Sequence, residues 1–305
     1  MKTTRRIQKL IHSKPTLEGA GVHLKRAFGS VAEAKWFDPF LLLDDFRADD
    51  PAQYLKGFPW HPHRGIETIT YVLNGRVEHG DSLGHRGVIG AGDVQWMTAG
   101  SGIIHQEMPK GDADGRMGGF QLWANLPAAH KMMAPRYRDV TAAQIPAVTT
   151  PSGATIRVIC GEVQGACGPV TDIVTDPEYL DVTIPAGAEF VHPTPPGHTV
   201  FAYVIEGHAC FCDQQNPFAY EVDGENCFDM KREPLAGDGS LILFGNGDQV
   251  VITTQGGPAR LLLVSGRPLG EPVAWYGPIV MNTQEELQLA FEEFENGTFL
   301  KHARP

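Results

Sequence analysis

The sequence predicts an all-β protein: two tandem jelly-roll β-barrels followed by one C-terminal helix. Three observations predict it. The chain has 305 residues, enough for two cores, since single cores stop growing at roughly 250–300 residues. Its 35 glycines and 23 prolines are scattered between short apolar runs, as short strands joined by tight turns require. Part of the chain also repeats itself. Turn signals recur through both copies while helical periodicity is nearly absent, the pattern of β-sandwiches and jelly rolls.

The repeat has two parts. Thr70-Tyr71-Val72-Leu73-Asn74-Gly75-Arg76-Val77 resembles Ala202-Tyr203-Val204-Ile205-Glu206-Gly207-His208-Ala209. Each is an apolar strand, a glycine turn and the start of a second strand. Gly90-Ala91-Gly92-Asp93-Val94-Gln95-Trp96 likewise resembles Leu235-Ala236-Gly237-Asp238-Gly239-Ser240-Leu241. Spacings this long mean two homologous domains rather than a solenoid. The second match is offset further than the first by about 13 residues, which an insertion within Asp213–Glu233 accounts for. The expected domains are 1–135, an N-terminal metal-binding barrel, and 136–305, a C-terminal barrel carrying the helix. A linker is expected near Lys131–Thr150, where polar residues, Pro135 and Pro146 part the strand-rich halves.

The helix begins at Thr283-Gln284-Glu285-Glu286, a capping-box pattern. Leu287, Ala290, Phe291 and Phe294 follow at helical spacing, and Gly297 is its stop signal. Its apolar face is expected to pack on a barrel or between the two.

The formal net charge of −11 excludes non-specific nucleic-acid binding, which depends on neutralising phosphates with Lys and Arg. The basic clusters Arg5-Arg6, Lys25-Arg26 and Lys231-Arg232 are short and read as solvated surface. Met1–Pro15 holds no apolar run of signal-peptide length, and no later run approaches a membrane span. The expected location is the cytoplasm, or the nucleus in a eukaryote, with no membrane partner. Five cysteines, at 160, 167, 210, 212 and 227, all fall in the second half. Cys210 and Cys212 share one strand face, which would allow a metal or redox pair, and reduced thiols are the expected state of all five.

The strongest chemical signal is Trp60-His61-Pro62-His63-Arg64-Gly65-Ile66-Glu67. Residues i and i+2 of a strand point to one side, so His61 and His63 both aim into one barrel. His105-Gln106-Glu107 repeats the spacing forty-odd residues later. Two strands with two ligand-type side chains each make a four-ligand site: His61, His63, His105 and Glu107. Imidazole with carboxylate suits Fe, Mn, Ni, Cu or Zn. A lone histidine among the chain's twelve would read as structural, but two pairs at strand spacing do not. The corresponding positions of the second copy are Pro193, Pro195, Val250 and Ile252, so that barrel is expected to hold no metal unless His192 or His198 builds a different site.

These motifs resemble the cupin superfamily and, more narrowly, the pirin family. The resemblance rests on Phe37-Asp38-Pro39-Phe40, His61-Pro62-His63-Arg64-Gly65, Asp93-Val94-Gln95-Trp96-Met97-Thr98-Ala99-Gly100, His105-Gln106-Glu107-Met108-Pro109, Gln121-Leu122-Trp123-Ala124-Asn125-Leu126-Pro127 and Gly277-Pro278-Ile279-Val280-Met281-Asn282-Thr283. It spans nearly the whole chain and is weakest over Asp213–Glu233. It implies a bicupin with one iron, Fe2+ or Fe3+, in the N-terminal barrel, bound by His61, His63, His105 and Glu107, with other divalent transition metals as alternatives. In this pattern Glu67 is not a ligand.

The resemblance leaves three functions open. One is a quercetin 2,3-dioxygenase, opening a small aromatic flavonol with O2, Glu107 acting as the catalytic base for the 3-hydroxyl. Phe58, Trp60, Trp96 and Met97 would then line the substrate pocket, or simply fill the barrel core. The second is an iron- and redox-dependent regulator that binds a protein partner. For it, Asp44, Asp45, Asp49 and Asp50 are either a binding surface or a solvated acidic loop. The third is a sugar-handling isomerase, for which the sequence carries no signature.

Overall fold

The computed structural model describes residues 2–212, 216, 218–224 and 234–302. Cys227, Lys231-Arg232 and much of the expected insertion Asp213–Glu233 lie outside the described residues. The first half of the chain runs through β1 (Ile7–His12), β2 (Lys14–Glu18), β3 (Val22–Phe28), α1 (Val31–Phe37), β4 (Phe40–Asp45), β5 (Phe58–His63), β6 (Ile66–Asn74), β7 (Arg76–Asp81), β8 (Arg86–Gly90), β9 (Val94–Thr98), β10 (Ile103–Lys110), β11 (Gly118–Asn125) and β12 (Arg136–Val140). The second half is built the same way. It runs through β13 (Ala147–Thr149), β14 (Thr155–Cys160), β15 (Glu162–Val163), β16 (Ala166–Cys167), β17 (Glu178–Ile184), β18 (Glu189–Pro193), β19 (Thr199–Phe211), β20 (Glu221–Val222), β21 (Ala236–Gly237), β22 (Ser240–Phe244), β23 (Gln249–Thr253) and β24 (Ala259–Gly266). A last hairpin, β25 (Ala274–Tyr276) and β26 (Ile279–Met281), leads into α2 (Gln284–Glu295).

Two compact units result, and neither is one continuous stretch. One comprises Lys14–Gln144 with Leu269–Pro305, the other Met1–Ser13 with Ile145–Pro268. The chain therefore passes between units three times, not once near residue 135 as the sequence alone suggests. In the first barrel, a sheet ordered β12-β9-β6-β11-β4-β3-β2 accompanies a sheet ordered β5-β10-β7-β8. The second barrel repeats both orders. Its long sheet contains β13-β14-β17-β24-β19-β22, and β18 pairs with β23, which pairs with the far end of β19. The duplication is thus one of topology as well as sequence, and both halves are cupin barrels. At the edge, β1 pairs antiparallel with β22, with Leu10 opposite Ile242. Nothing in the local pattern of Ile7–His12 announced that partner.

The long sheet of the second barrel is apolar where it is covered, and that of the first buries polar side chains as well. In the second, Val158, Leu180, Val204, Ile242, Val250 and Leu261 belong to one buried cluster. In the first, β4 is buried along its whole length. Hydrogen bonds correct one detail of the repeat: Gly92 N donates to Val72 O, and it is Gly239, not Gly237, that donates to the equivalent Val204 O.

The hairpin glycines are true counterparts. Gly75 has φ +73° and Gly207 φ +74°, a conformation that disfavours any Cβ. Helix α2 is capped as the sequence predicts: Thr283 Oγ1 accepts from Glu286 N, and Glu286 Oε2 accepts from Thr283 N. Leu287 and Ala290 are buried with Ala274, Ile279, Met281 and Phe299, all of the first-barrel unit, whereas Phe294 is largely exposed. The helix therefore belongs with the first barrel, not the second. Among the described residues no helix is long and apolar enough to cross a membrane.

A Cβ at Gly207 would stand 2.1 Å from the Pro258 carbonyl oxygen, whereas one at Gly187, also at positive φ, would meet nothing within 4 Å. Gly187→Ala is expected to cost about 1–2 kcal/mol, from backbone strain alone. Gly207→Ala should cost clearly more, read as the shift of the urea midpoint.

Candidate metal centre

Pairing of β5 with β10 brings the sequence-predicted residues together. His61 lies opposite His105, and His63 opposite Ile103. Between His105 and Glu107 the register shifts, so β5 carries an extra residue at Pro59–Trp60. Such a bulge breaks the alternation of side chains. Phe58 turns inward with His61 although the two are three residues apart, and both line one cavity. Trp60 stays on the outer face, 52% exposed.

His61, His63 and His105 form a group that could hold a metal ion, their donor atoms all within 4.8 Å of one another. His61 Nε2 lies 3.0 Å from His63 Nε2 and 3.0 Å from His105 Nε2. The other nitrogens decide the tautomers. His61 Nδ1 is 2.8 Å from Pro59 O, and His63 Nδ1 is 3.1 Å from Pro278 O. A carbonyl only accepts, so both Nδ1 atoms carry a proton, and a neutral ring held this way presents its bare Nε2 lone pair to the other ring. No hydrogen bond joins two lone pairs, but a cation does. Two nitrogens each about 2.1 Å from one ion and at right angles around it lie about 3.0 Å apart, so the donor set fits a metal ion. Carbonyl bonds to the far nitrogen are also the usual support of metal-binding imidazoles.

Burial, and then the neighbouring His61, holds the His63 pKa well below its ordinary value. Burial, followed by His63 and His61, does the same for His105. Both rings are therefore neutral, the form that binds metal. Glu107 stands beside the triplet rather than in it. Its Oε1 accepts from Thr70 Oγ1 at 2.9 Å, and burial raises its pKa against the lowering influence of His61. Glu67 on β6 accepts a bond from Thr98.

The turn after His63 is clamped. Arg64 is buried, bonding Phe299 O at 2.7 Å and pairing with Glu293 at 2.8 Å. A Cβ at Gly65 would sit 1.9 Å from Val280 O, so only glycine fits. Lys131 Nζ donates to Gly65 O, Asn125 Oδ1 and Val280 O. The His-Pro-His-Arg-Gly motif is thus two ligand-type residues followed by the anchor that fixes their strand.

The cavity next to the triplet has a volume of about 690 Å³ and includes His61, His63, Glu107, Phe58, Trp123 and Tyr276 in its wall. Of the residues expected to line it, Trp60 faces out for the reason given above. Trp96 is 2% exposed, on the face of β9 opposite Gln95. Met97 is buried with Ile66, Ile103 and Val280. These three are not pocket residues. Sequence reasoning missed Thr70, Gln121, Trp123 and the Trp275–Pro278 segment. Gln121 and Trp123 sit two apart on β11, a readable signal, but no local pattern says that Trp275–Pro278 returns to this barrel. Asp44 and Asp45, read as an acidic surface, are buried on β4 and paired with Arg26 and Arg47.

In the second barrel the pairing recurs with other side chains. Glu107 faces His79 across β10 and β7, and Ile252 faces Phe211 across β23 and β19. Val250 and Ile252 are fully buried in the apolar cluster, and His192 bonds Glu178 at 2.8 Å.

Residues 21–124 match the pirin family, and residues 179–300 match the pirin C-terminal cupin domain. A pirin-like protein of Caulobacter vibrioides is 44% identical over 296 residues, covering 97% of this chain and 99% of its own. The chain belongs to the pirin family. Among solved structures it is similar to a quercetin 2,3-dioxygenase from Acinetobacter baumannii, with a TM-score of 0.83 and 29% identity over 97% of this chain and 98% of that one. It shares its fold with the bacterial pirin YhhW of Escherichia coli, solved in complex with nickel(II), at a TM-score of 0.61 and 20% identity over 84% and 95% of the two chains.

His61→Ala and His105→Ala should each lose most bound metal in elemental analysis of the purified pirin, whereas Cys210→Ala and His198→Ala should keep it. Stripping the metal with a chelator should lower the melting temperature, because an ion that binds only the folded state stabilises it. Returning the metal should restore the wild type and leave His61→Ala unchanged.

Proposed function

We propose that this pirin is a mononuclear non-haem iron enzyme that opens flavonols with O2, a reaction of the quercetin 2,3-dioxygenase type. The observation that carries the proposal is the cavity. A three-histidine group and a carboxylate meet a space walled by flat and apolar side chains such as Phe58 and Trp123, as a planar polyphenol requires. The likeness to the Acinetobacter baumannii quercetin 2,3-dioxygenase supports the same reading. The proposed ligands are His61, His63, His105 and Glu107. Several transition metals suit these donors, and iron is proposed because the pirin resemblance implies it.

The ion, when bound, supplies Lewis-acid polarisation of the flavonol oxygens and a redox centre for O2. The chain's own residues do the rest. Glu107, its basicity raised by burial, takes the proton of the 3-hydroxyl. Thr70 holds the carboxylate by its Oε1, keeping the other oxygen free to face the cavity. His63 and His105 stay neutral, and the Pro278 carbonyl keeps the His63 lone pair inward. Phe58, Trp123 and Tyr276 exclude water from the reacting ring. The proposal sets the reaction in the cytoplasm, where buried thiols such as Cys160 and Cys212 persist.

Elemental analysis and an aerobic assay following loss of the flavonol band of quercetin test this together. One iron per chain with turnover lost on chelation is the expected result. Glu107→Gln should lower kcat by about 10²–10⁴-fold, the usual share of a general base. Stoichiometric iron without any quercetin loss would sink the enzyme and favour a redox-dependent regulator.

A further inference from the structure

One row of side chains across the long sheet of the first barrel is polar from strand to strand. The register pairs Arg26 on β3 with Asp44 on β4, Asp44 with Gln121 on β11, and Gln121 with Thr70 on β6. Directly paired residues point to the same face, and all four line the cavity. At one end Thr70 Oγ1 lies 2.9 Å from Glu107 Oε1 and 2.8 Å from Gln121 Oε1. At the other, Arg26 Nε and Nη2 donate to the two Asp44 oxygens at 2.8 and 2.7 Å. Arg26 Nη1 pairs with Glu18 at 2.8 Å. Beside this row the wall is apolar, with Leu24, Phe46 and Phe58.

We propose that Arg26, Asp44 and Glu18 form a distal subsite that recognises the ring hydroxyls of the substrate, making the cavity selective for polyhydroxylated flavonols over bare ones. The inference rests on the flavonol reading of this cavity. Neighbouring strands are about 4.8 Å apart, so Asp44 and Arg26 stand two and three strands from Thr70, about 10 and 14 Å away. Three linked six-membered rings span that length. The chemistry of the subsite matches too. A guanidinium has five N–H groups, of which these contacts engage three, and each carboxylate oxygen has room for a second donor. A phenol hydroxyl both donates and accepts, so it can bond to the carboxylate and the guanidinium at once. An apolar ring edge would instead leave the cavity face of this ion pair dry and without a new partner, which is costly for charged groups.

The test uses the full-length, metal-loaded protein without O2, titrated with quercetin and with 3-hydroxyflavone, which lacks the other ring hydroxyls. Quenching of tryptophan fluorescence reports binding, since Trp123 and Trp275 line the cavity. Wild type should bind quercetin at least about tenfold more tightly, the gap expected of one hydrogen bond to a charged group. The double variant Arg26→Leu/Asp44→Leu removes both charges, leaving neither unpaired against the other. It should close the gap by losing quercetin affinity while its Kd for 3-hydroxyflavone holds. Asp44→Asn, which keeps the shape of the wall, should narrow the gap severalfold and serves if the double variant does not melt cooperatively. A gap that persists in both variants, or equal binding of the two flavonols by wild type, overturns the subsite alone. Wild type that binds neither flavonol overturns the flavonol reading itself.

Discussion

Two carbonyl oxygens determine what the centre of the first barrel is. Pro59 O and Pro278 O fix the protons of His61 and His63 on Nδ1, which leaves two bare nitrogens 3.0 Å apart. In water such an arrangement would relax by rotation or by taking up a proton. Here burial disfavours the charged imidazolium at His63 and His105, and strand pairing holds the rings. A cation resolves the conflict with no rearrangement. Donor atoms held this close by the fold suit a cation, whose binding would add to the stability of the folded state.

That constraint accounts for features otherwise hard to place. Pro278 lies far from the histidines in sequence, so the C-terminal segment must belong to the first-barrel unit, as it does. Arg64 bonds Phe299 and Glu293, and Lys131 bonds Val280. Both long basic side chains are buried to tie this segment to the β5–β6 turn, and burial lowers the Lys131 pKa to about 7. Buried charges are weak sources of net stability but strong penalties when half-removed, so they specify one position of the strand rather than merely strengthening it. The precision of the donor set depends on a part of the chain more than two hundred residues away from it.

This separates what was legible in the sequence from what was not. The two barrels, the capped helix and the histidine triplet follow from local rules: glycine turns, a capping box, and residues two apart on a strand. Trp60 was misplaced against those rules, since the neighbour of an inward His61 points outward in any strand. With His61 and His63 inward, strict alternation puts both Phe58 and Trp60 outward, and the bulge at Pro59–Trp60 returns only Phe58 to the cavity. Trp96 and Met97 were misread because flat or apolar residues suit a core as well as a pocket. The pairing of β1 with β22 and the return of Trp275–Pro278 are long-range events that no local window encodes. Asp44 looked like surface because charge is usually exposed, and its partner Arg26 lies on another strand.

The second barrel shows which of these features the fold itself requires. It keeps the hairpin glycine at the same φ, the same sheet order and the same cross-strand pairing. It replaces the donor positions with Val250 and Ile252, and its cavity-equivalent interior with one continuous apolar cluster. A jelly roll is thus complete without the histidine triplet. Polar side chains inside the first barrel contribute less to burial than the residues that fill the second, and they persist only where clamps and pairing hold them. The candidate metal centre is the place where one copy departs from the apolar residues its duplicate carries at the same positions.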